Sequence, residues 1–334
     1  MLERVRIGMV GAGAVAARHV RTLLAMDGVE VAAVADPALD RAKELADQAG
    51  AAAYPNHMEL LDGERLDAVY ICVPPFAHGA PELAVIDAGL PMFVEKPVAI
   101  DQETAAGVAA RLAERPLVTC TGYHWRWLDV FDRAAELLAD RPARLVQCFW
   151  LDKVPPPLWW PRRDGSGGQV IEQTTHVLDT ARALAGEVIE VHAFGARAAA
   201  TPPTTRPVPG ADIHDVSVAS LRFASGALGT VASTCLLPRL HRAGLHVVAD
   251  GLSLELSETE LVVEADGRRS AWKAGADARP RPDADFVAAV RGGPDTIRVP
   301  WPEAYRTHLR ACAITRSAEE SRPLHLGPEG SGEP

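Results

Sequence analysis

Positive charge is in short supply: 34 lysines and arginines against 44 aspartates and glutamates leave a formal net charge of −10. That balance argues against a nucleic-acid partner, which needs a basic face for the phosphates, though it leaves room for a local basic pocket. Cysteine is scarce as well. The five residues Cys72, Cys120, Cys148, Cys235 and Cys312 are scattered, with no CxxC pair and no zinc-ligand spacing. Cys72 and Cys120 lie inside apolar runs, where a free thiol acts as a small hydrophobe, which fits a reducing compartment. No apolar stretch is long enough to span a bilayer, and the first ten residues enter a strand-like run without the apolar core and cleavage site of a secretory signal. A cytoplasmic protein with no membrane partner is expected. No set of His, Cys and carboxylates has convincing metal spacing, no Ser or Cys sits in a nucleophile elbow, and neither repeats nor low-complexity domains occur.

What remains is a chain of 334 residues, 48% hydrophobic, long enough for two domains. In the first third, strand-like runs at 5–10, 29–35, 68–73, 92–94 and 117–121 alternate with helix-like runs at 15–26, 38–49, 78–88 and 102–114. Fully apolar strands alternating with helices predict an α/β fold with a parallel sheet covered on both faces. Beyond about Pro142 the character changes. Strands at 188–200, 216–223, 227–235, 245–249 and 252–256 follow one another without helices, which predicts a large, mostly antiparallel open sheet in an α+β domain. Two helices, at 283–291 and 303–321, close the chain. The domains are expected at 1–122 and 123–334, with the final helix able to pack back on the first. The segment 198–210 and the tail 327–334 are expected to be flexible excursions.

Gly11-Ala12-Gly13-Ala14-Val15-Ala16 follows an apolar strand and opens an Ala-rich helix. Gly11 allows the tight turn, Gly13 lets the backbone approach a pyrophosphate, and Ala16 permits close contact between helix and sheet. The pyrophosphate would rest on free N–H groups at the helix start, where Ala14 and Val15 stand. A lone match of this kind is weak. Here a second apolar strand follows and ends in Asp36 at the expected spacing, where a carboxylate accepts hydrogen bonds from ribose hydroxyls and repels a 2′-phosphate. NAD is therefore expected over NADP, with Arg41 close enough in sequence to complicate the preference.

Glu95-Lys96-Pro97 follows the strand at 92–94, at the carboxyl edge where open α/β sheets bind ligands. Lys96 there can hydrogen-bond a substrate oxygen; a surface lysine in a Pro-bounded turn is the competing reading. Read as a helix beginning after Gly168, the run Gln169–Asp179 puts Glu172 and His176 one turn apart on one face, with Asp179 a turn further. The imidazole can take a proton near neutral pH, and either acid could orient it. A solvated helix face would carry the same residues.

The GxGxxA turn, the EKP tripeptide after a strand, and GG-x3-E-x3-H-x2-D in an α+β second domain together resemble the family named after glucose–fructose oxidoreductase and inositol dehydrogenase, over nearly the whole chain. That resemblance implies a Rossmann domain plus an open-sheet domain. It implies that Lys96 contacts the reacting hydroxyl or carbonyl, that His176 serves as proton acceptor or donor, and that Glu172 accompanies it. Val73-Pro74-Pro75-Phe76-Ala77-His78 resembles the family loop that lies along the cofactor, so Val73, Pro74 and His78, with Glu95 and Lys96, are expected beside NAD. The chain departs from the pattern at Glu172, where many members have Asp, at Thr174, where many have Gly, and at Pro75, where Asn is frequent.

Gly122-Tyr-His-Trp-Arg-Trp127 follows the strand at 117–121; if extended, it turns His124 and Arg126 one way and its aromatics the other. Tryptophan faces suit sugar rings, and Trp159 and Trp160, in a Pro-rich loop, are the better pocket candidates, while Trp125, Trp127 and Trp150 fit domain-interface packing equally well. Arg162 and Arg163 could meet a substrate anion, but a solvated pair is the commoner case. The expected activity is hydride transfer between NAD and a secondary alcohol or ketone of a sugar, cyclitol or related polyol, the substrate lying between Lys96 and His176. Two alternatives stand beside it: retained NAD used for transient oxidation in elimination, epimerisation or glycoside cleavage, and a non-catalytic NAD-binding sensor. An open sheet face needs cover, so a homodimer or homotetramer through the second domain is expected.

Overall fold

The computed structural model describes residues 4–197 and 210–327. The expected excursion at 198–210, apart from Gly210, and the tail beyond Gly327 lie outside the described residues. The chain divides into two compact units, one of Met1–Ala99, Glu103–His124 and Ala278–Tyr305, the other of Ile100–Gln102, Trp125–Asp277 and Arg306–Pro334.

The first unit runs β1 (Val5–Val10), α1 (Ala14–Leu24), β2 (Val29–Ala35), α2 (Leu39–Ala49), β3 (Ala52–Tyr54), α3 (His57–Gly63), β4 (Ala68–Ile71), α4 (Ala80–Asp87), β5 (Met92–Val94), α5 (Gln102–Glu114) and β6 (Thr119–Thr121). Its six strands are all parallel, in the order β3-β2-β1-β4-β5-β6. The order reverses between β1 and β4, and the crevice beyond the carboxyl ends of these strands is where such sheets take their ligands. The apolar runs are strands because both sheet faces are covered: the consecutive Ala68, Val69, Tyr70 and Ile71 of β4, which alternate between the faces, are all fully buried. Ala16, His19, Val20 and Leu23 form the buried stripe of α1 at helical spacing. The short edge strand β3 and the seven-residue helix α3, absent from the sequence reading, have too few apolar residues for a periodic signal.

The second unit runs α6 (Asp129–Leu138), β7 (Leu145–Leu151), α7 (Arg163–Ser166), a turn of π-helix at Val170–Thr174, α8 (Thr175–Ala185), β8 (Val188–Ala196), β9 (Val216–Phe223), β10 (Leu228–Thr234), β11 (Arg242–Ala249), β12 (Leu252–Leu256), β13 (Glu260–Ala265) and β14 (Arg268–Lys273). The chain then returns to the first unit with α9 (Pro280–Val290), and ends with α10 (Trp301–Glu320) and β15 (Leu324–His325). The nine-stranded sheet has the order β14-β13-β12-β11-β7-β10-β9-β8-β15. It is antiparallel except where β10 pairs with β7 in parallel. The sequence reading missed α6, β7, β13 and β14, and its strand at 188–200 is observed as far as Ala196. On one face, α8 packs on β7 and β11 and α6 on β12 and β13. On the other, Phe194, Val218, Ala232 and Phe149 stand side by side across four strands, with Phe194 58% and Val218 46% exposed.

Candidate active site

The dinucleotide turn lies at the switch point of the parallel sheet. Gly11 adopts φ 98°, and a Cβ there would meet the Cys72 carbonyl oxygen at 2.2 Å, so only glycine fits between β1 and β4. Gly13 is the N-cap of α1. It offers no capping side chain, no acidic residue follows in the first turn, and a Cβ on it would meet nothing within 4 Å. Ala14 and Val15, both exposed, form the first turn of this uncapped helix, whose N-terminus is suited to a pyrophosphate. A cavity of about 170 Å³ is lined by Ala12, Gly13, Ala14, Ala17, Arg41, Glu44, Leu45 and Gln48. Asp36, at the end of β2, accepts hydrogen bonds from the Ala12 and Ala38 N–H groups, both at 2.9 Å, and has the Arg41 guanidinium at 3.5 Å. These residues fit an adenine dinucleotide.

The loop after β4 differs in part from its expected role. Val73 and Pro74 lead into a 3-10 turn at Pro75–Ala77. His78, expected beside the cofactor, has a fully buried side chain whose Nδ1 lies 2.5 Å from Glu82, while the other Glu82 oxygen accepts the Gly79 N–H at 2.6 Å. It closes the start of α4. Lys96 is half-buried immediately beyond β5, on the same sheet edge as the dinucleotide turn. Glu95 before it is buried and tied by Arg18 and His19.

Sequence reasoning missed His19, whose Nδ1 meets Asp283 at 2.6 Å and whose Nε2 meets Glu95 at 2.9 Å. The available signal was a histidine on the apolar stripe of α1. Burial alone would lower its pKa, but hydrogen bonds and charge from Asp283 and Glu95 outweigh that and raise it to about 9. Burial likewise pushes Glu95 upward, but the hydrogen bond and charge of His19, with Arg18 and Lys96, bring it down to about 2. The His19 contribution to stability is present below its ordinary pKa of 6.5 and is lost as pH rises through about 9. The Glu95 contribution is present above 4.5 and is lost as pH falls through about 2. Thermal unfolding is expected to show a midpoint that declines from pH 7 to 10, and His19→Gln should flatten that decline. An equally steep decline in the variant would refute the assignment.

In the second unit, the residues of the Gly-rich entry to α8 separate. The helix does not run evenly from Gly168: Val170–Thr174 forms a π turn, a distortion often found at functional sites. Glu172 accepts a hydrogen bond from Trp160 Nε1 at 2.6 Å. His176 is buried and lies nearly parallel to Trp150 and Trp125, with ring centroids 5.8 and 6.4 Å away. Asp179 takes a two-pronged pair from Arg126, at 2.7 and 3.1 Å, and a bond from Thr307. The expected acid, imidazole and acid face is therefore replaced by three side chains with different neighbours, because the π turn shifts the register and Arg126 claims Asp179.

Two further expectations change, those for residues 124–127 and for the Trp159–Trp160 pair. Residues 124–127 form a 3-10 turn rather than a strand, which buries Arg126 and leaves His124 half-buried. Trp160 is 1% exposed, packed with Ile213 and Cys235, so it supports Glu172 from the core instead of offering a ring face; Trp159 packs partly against the same cluster. Arg162 pairs with Asp164, and Arg163 with Glu319. Trp150 donates to Asp152 at 3.4 Å, and Asp152 also accepts from Gln173 at 3.2 Å. Burial pushes the Cys148 thiol up to about 12, as befits a core residue. Among the described residues no helix is long and apolar enough to cross a membrane.

A parallel sheet in this strand order with an open glycine turn, joined in one chain to a large mixed sheet, defines a two-unit protein of the dinucleotide-binding class. Residues 5–123 match the family described as "Oxidoreductase family, NAD-binding Rossmann fold" (GFO_IDH_MocA), and residues 142–255 match the GFO/IDH/MocA C-terminal domain. The chain belongs to the GFO/IDH/MocA oxidoreductase family, and its cofactor is NAD. It is 28% identical over 232 residues to a myo-inositol 2-dehydrogenase of Thermotoga maritima, covering 68% of this chain and 67% of the relative. It is 33% identical over 192 residues to the rhizopine catabolism protein MocA of Rhizobium meliloti, covering 56% of this chain and 59% of that protein. Among solved structures, a levoglucosan dehydrogenase in complex with NADH superposes with a TM-score of 0.85 at 19% identity, covering 97% of this chain and 99% of that one. This last likeness is one of fold.

Proposed function

We propose that the protein transfers hydride between NAD and a secondary alcohol or ketone of a cyclitol, sugar or related polyol. The observation that carries this reading is Lys96 at the carboxyl end of β5, on the sheet edge that also bears the dinucleotide turn. The relatives named as inositol dehydrogenases support the substrate class. NAD supplies the hydride acceptor. Lys96 donates a hydrogen bond to the reacting oxygen and stabilises the negative charge that develops there. His176, held flat by Trp125 and Trp150, accepts the hydroxyl proton, and Glu172 and His124 contact neighbouring hydroxyls. Val73, Pro74 and Glu95 border the cofactor. A panel of cyclitols, sugars and polyols followed by NADH absorbance tests the reading: net NADH formation with at least one cyclitol or polyol is expected. Tight NAD binding with no turnover across the panel overturns it, and product formation without net NADH replaces it with an oxidation-assisted elimination or epimerisation.

The open sheet face is proposed to bind a second copy of the chain. Phe194 and Val218 are apolar, adjacent and exposed on the uncovered side. Light scattering is expected to give a dimer or tetramer, and Val218→Arg to shift it toward monomer. A wild-type monomer at micromolar concentration contradicts this.

A further inference from the structure

We propose that His19 is a positioning residue for Lys96: a doubly bonded imidazolium that locks the Glu95 carboxylate and, through it, the backbone at the end of β5. The inference rests on the reading of Lys96 as the group at the reacting oxygen. A neutral imidazole has one donor and one acceptor, so it cannot satisfy two ionised carboxylates. His19 has one on each ring nitrogen, Asp283 at 2.6 Å and Glu95 at 2.9 Å, with only 2% of its side chain exposed. The site therefore selects the cation. Glu95 Oε1 takes both His19 and Arg18 at 2.9 Å, while Oε2 accepts the Lys96 N–H at 3.1 Å. Two cations fix one oxygen of the carboxylate, and the other fixes the peptide that begins Lys96.

The surroundings leave this carboxylate little freedom. A Cβ on Gly122 would come within 2.4 Å of Glu95 Oε2, so the residue after β6 is glycine where the carboxylate passes. The Tyr70 and Phe93 rings lie 5.4 and 4.9 Å from the imidazole. The titratable groups around His19 and Glu95 are Arg18 from α1, Tyr70 and Cys72 from β4 and its end, Lys96 just beyond β5, Cys120 from β6, and Asp283 from α9, with Asp285 of α9 acting on Cys120. Burial holds Tyr70, Cys72 and Cys120 well above their ordinary pKa values, so they stay neutral. Arg18 and His19 thus balance Glu95 and Asp283, and deprotonating His19 would leave a buried surplus of negative charge.

The decisive measurement is the Lys96 backbone amide resonance in full-length, NAD-bound protein between pH 6.5 and 10. The wild type is expected to show an inflection near pH 9, where His19 gives up its proton. His19→Gln should abolish it. Asp283→Asn keeps the imidazole but removes one charged partner, and should move the inflection down by about one pH unit. An inflection that survives in His19→Gln, or that stays put in Asp283→Asn, overturns the proposal; the second variant decides if the first does not fold. On any polyol the wild type turns over, His19→Gln should lower kcat about 10- to 100-fold while the KM values for NAD and polyol move less than about threefold. Unchanged kcat in His19→Gln beside an inactive Lys96→Met also overturns it. Full activity in Lys96→Met would instead sink the reading of Lys96 while the amide titration still decides the role of His19.

Discussion

Lys96→Met and His176→Ala are each expected to lower turnover by about 10²- to 10⁴-fold while leaving NAD affinity within about threefold. Oxidation of a secondary alcohol removes a proton and a hydride from one H–C–O–H group. The carbon–hydrogen bond does not break readily until the oxygen can carry negative charge. Methionine keeps the length and apolar stem of Lys96 but removes its three N–H donors, so the loss reports stabilisation of the oxygen. His176, on α8, lies beside Trp125 and Trp150, and alanine there removes the proposed proton acceptor while leaving the glycine turn in place. NAD affinity by fluorescence titration and turnover by NADH absorbance separate binding from chemistry. A variant that retains most of the wild-type rate removes its residue from the mechanism.

The second large effect concerns cofactor choice. Asp36→Ser is expected to shift the ratio of kcat/KM for NAD to that for NADP by about 100-fold or more toward NADP. The Asp36 carboxylate is buried against the glycine turn, holding the Ala12 and Ala38 N–H groups, with Arg41 alongside. Its charge repels a 2′-phosphate, and its removal frees Arg41 to pair with one. A charge-assisted bond contributes about 1.5–3 kcal/mol, and loss of repulsion adds in the same direction. Parallel kinetics with the two cofactors check this. Equal losses with NAD and NADP would mean that Asp36 only supports the turn.

The parts of the fold that were legible in the sequence rest on short-range patterns. Gly11, Gly13 and Asp36 follow from a strand, turn and helix within a span of 32 residues, and the parallel sheet from uninterrupted apolar runs. The second sheet was legible as a class, while β7 and the β13–β14 hairpin were not, because Leu145–Leu151 has mixed exposure and Arg268–Lys273 is exposed throughout. The candidate site divides in the same way. Lys96 and His176 were singled out because motifs surround them. The Asp179–Arg126 pair joins residues 53 apart, and no local pattern announces it. Trp160 was misjudged because a Pro-rich loop normally exposes its aromatics, whereas this one folds into a small core with Ile213 and Cys235.

The return of residues 278–305 to the first unit bears on how the protein is made. The nucleotide-binding half is not a segment that can be cut out at residue 122: Asp283 supplies one of the two carboxylates on His19, and the Val299 carbonyl accepts from Thr121 at the sheet edge. On a ribosome adding about 5–20 residues per second, His19 waits roughly 10–30 s after β6 emerges before its second partner is synthesised. During that interval a buried position holds a histidine with half its hydrogen bonds unmade. The first unit is thus completed only after nearly all of the second has been translated, so a chain truncated before Asp283 lacks one of the two carboxylates on His19.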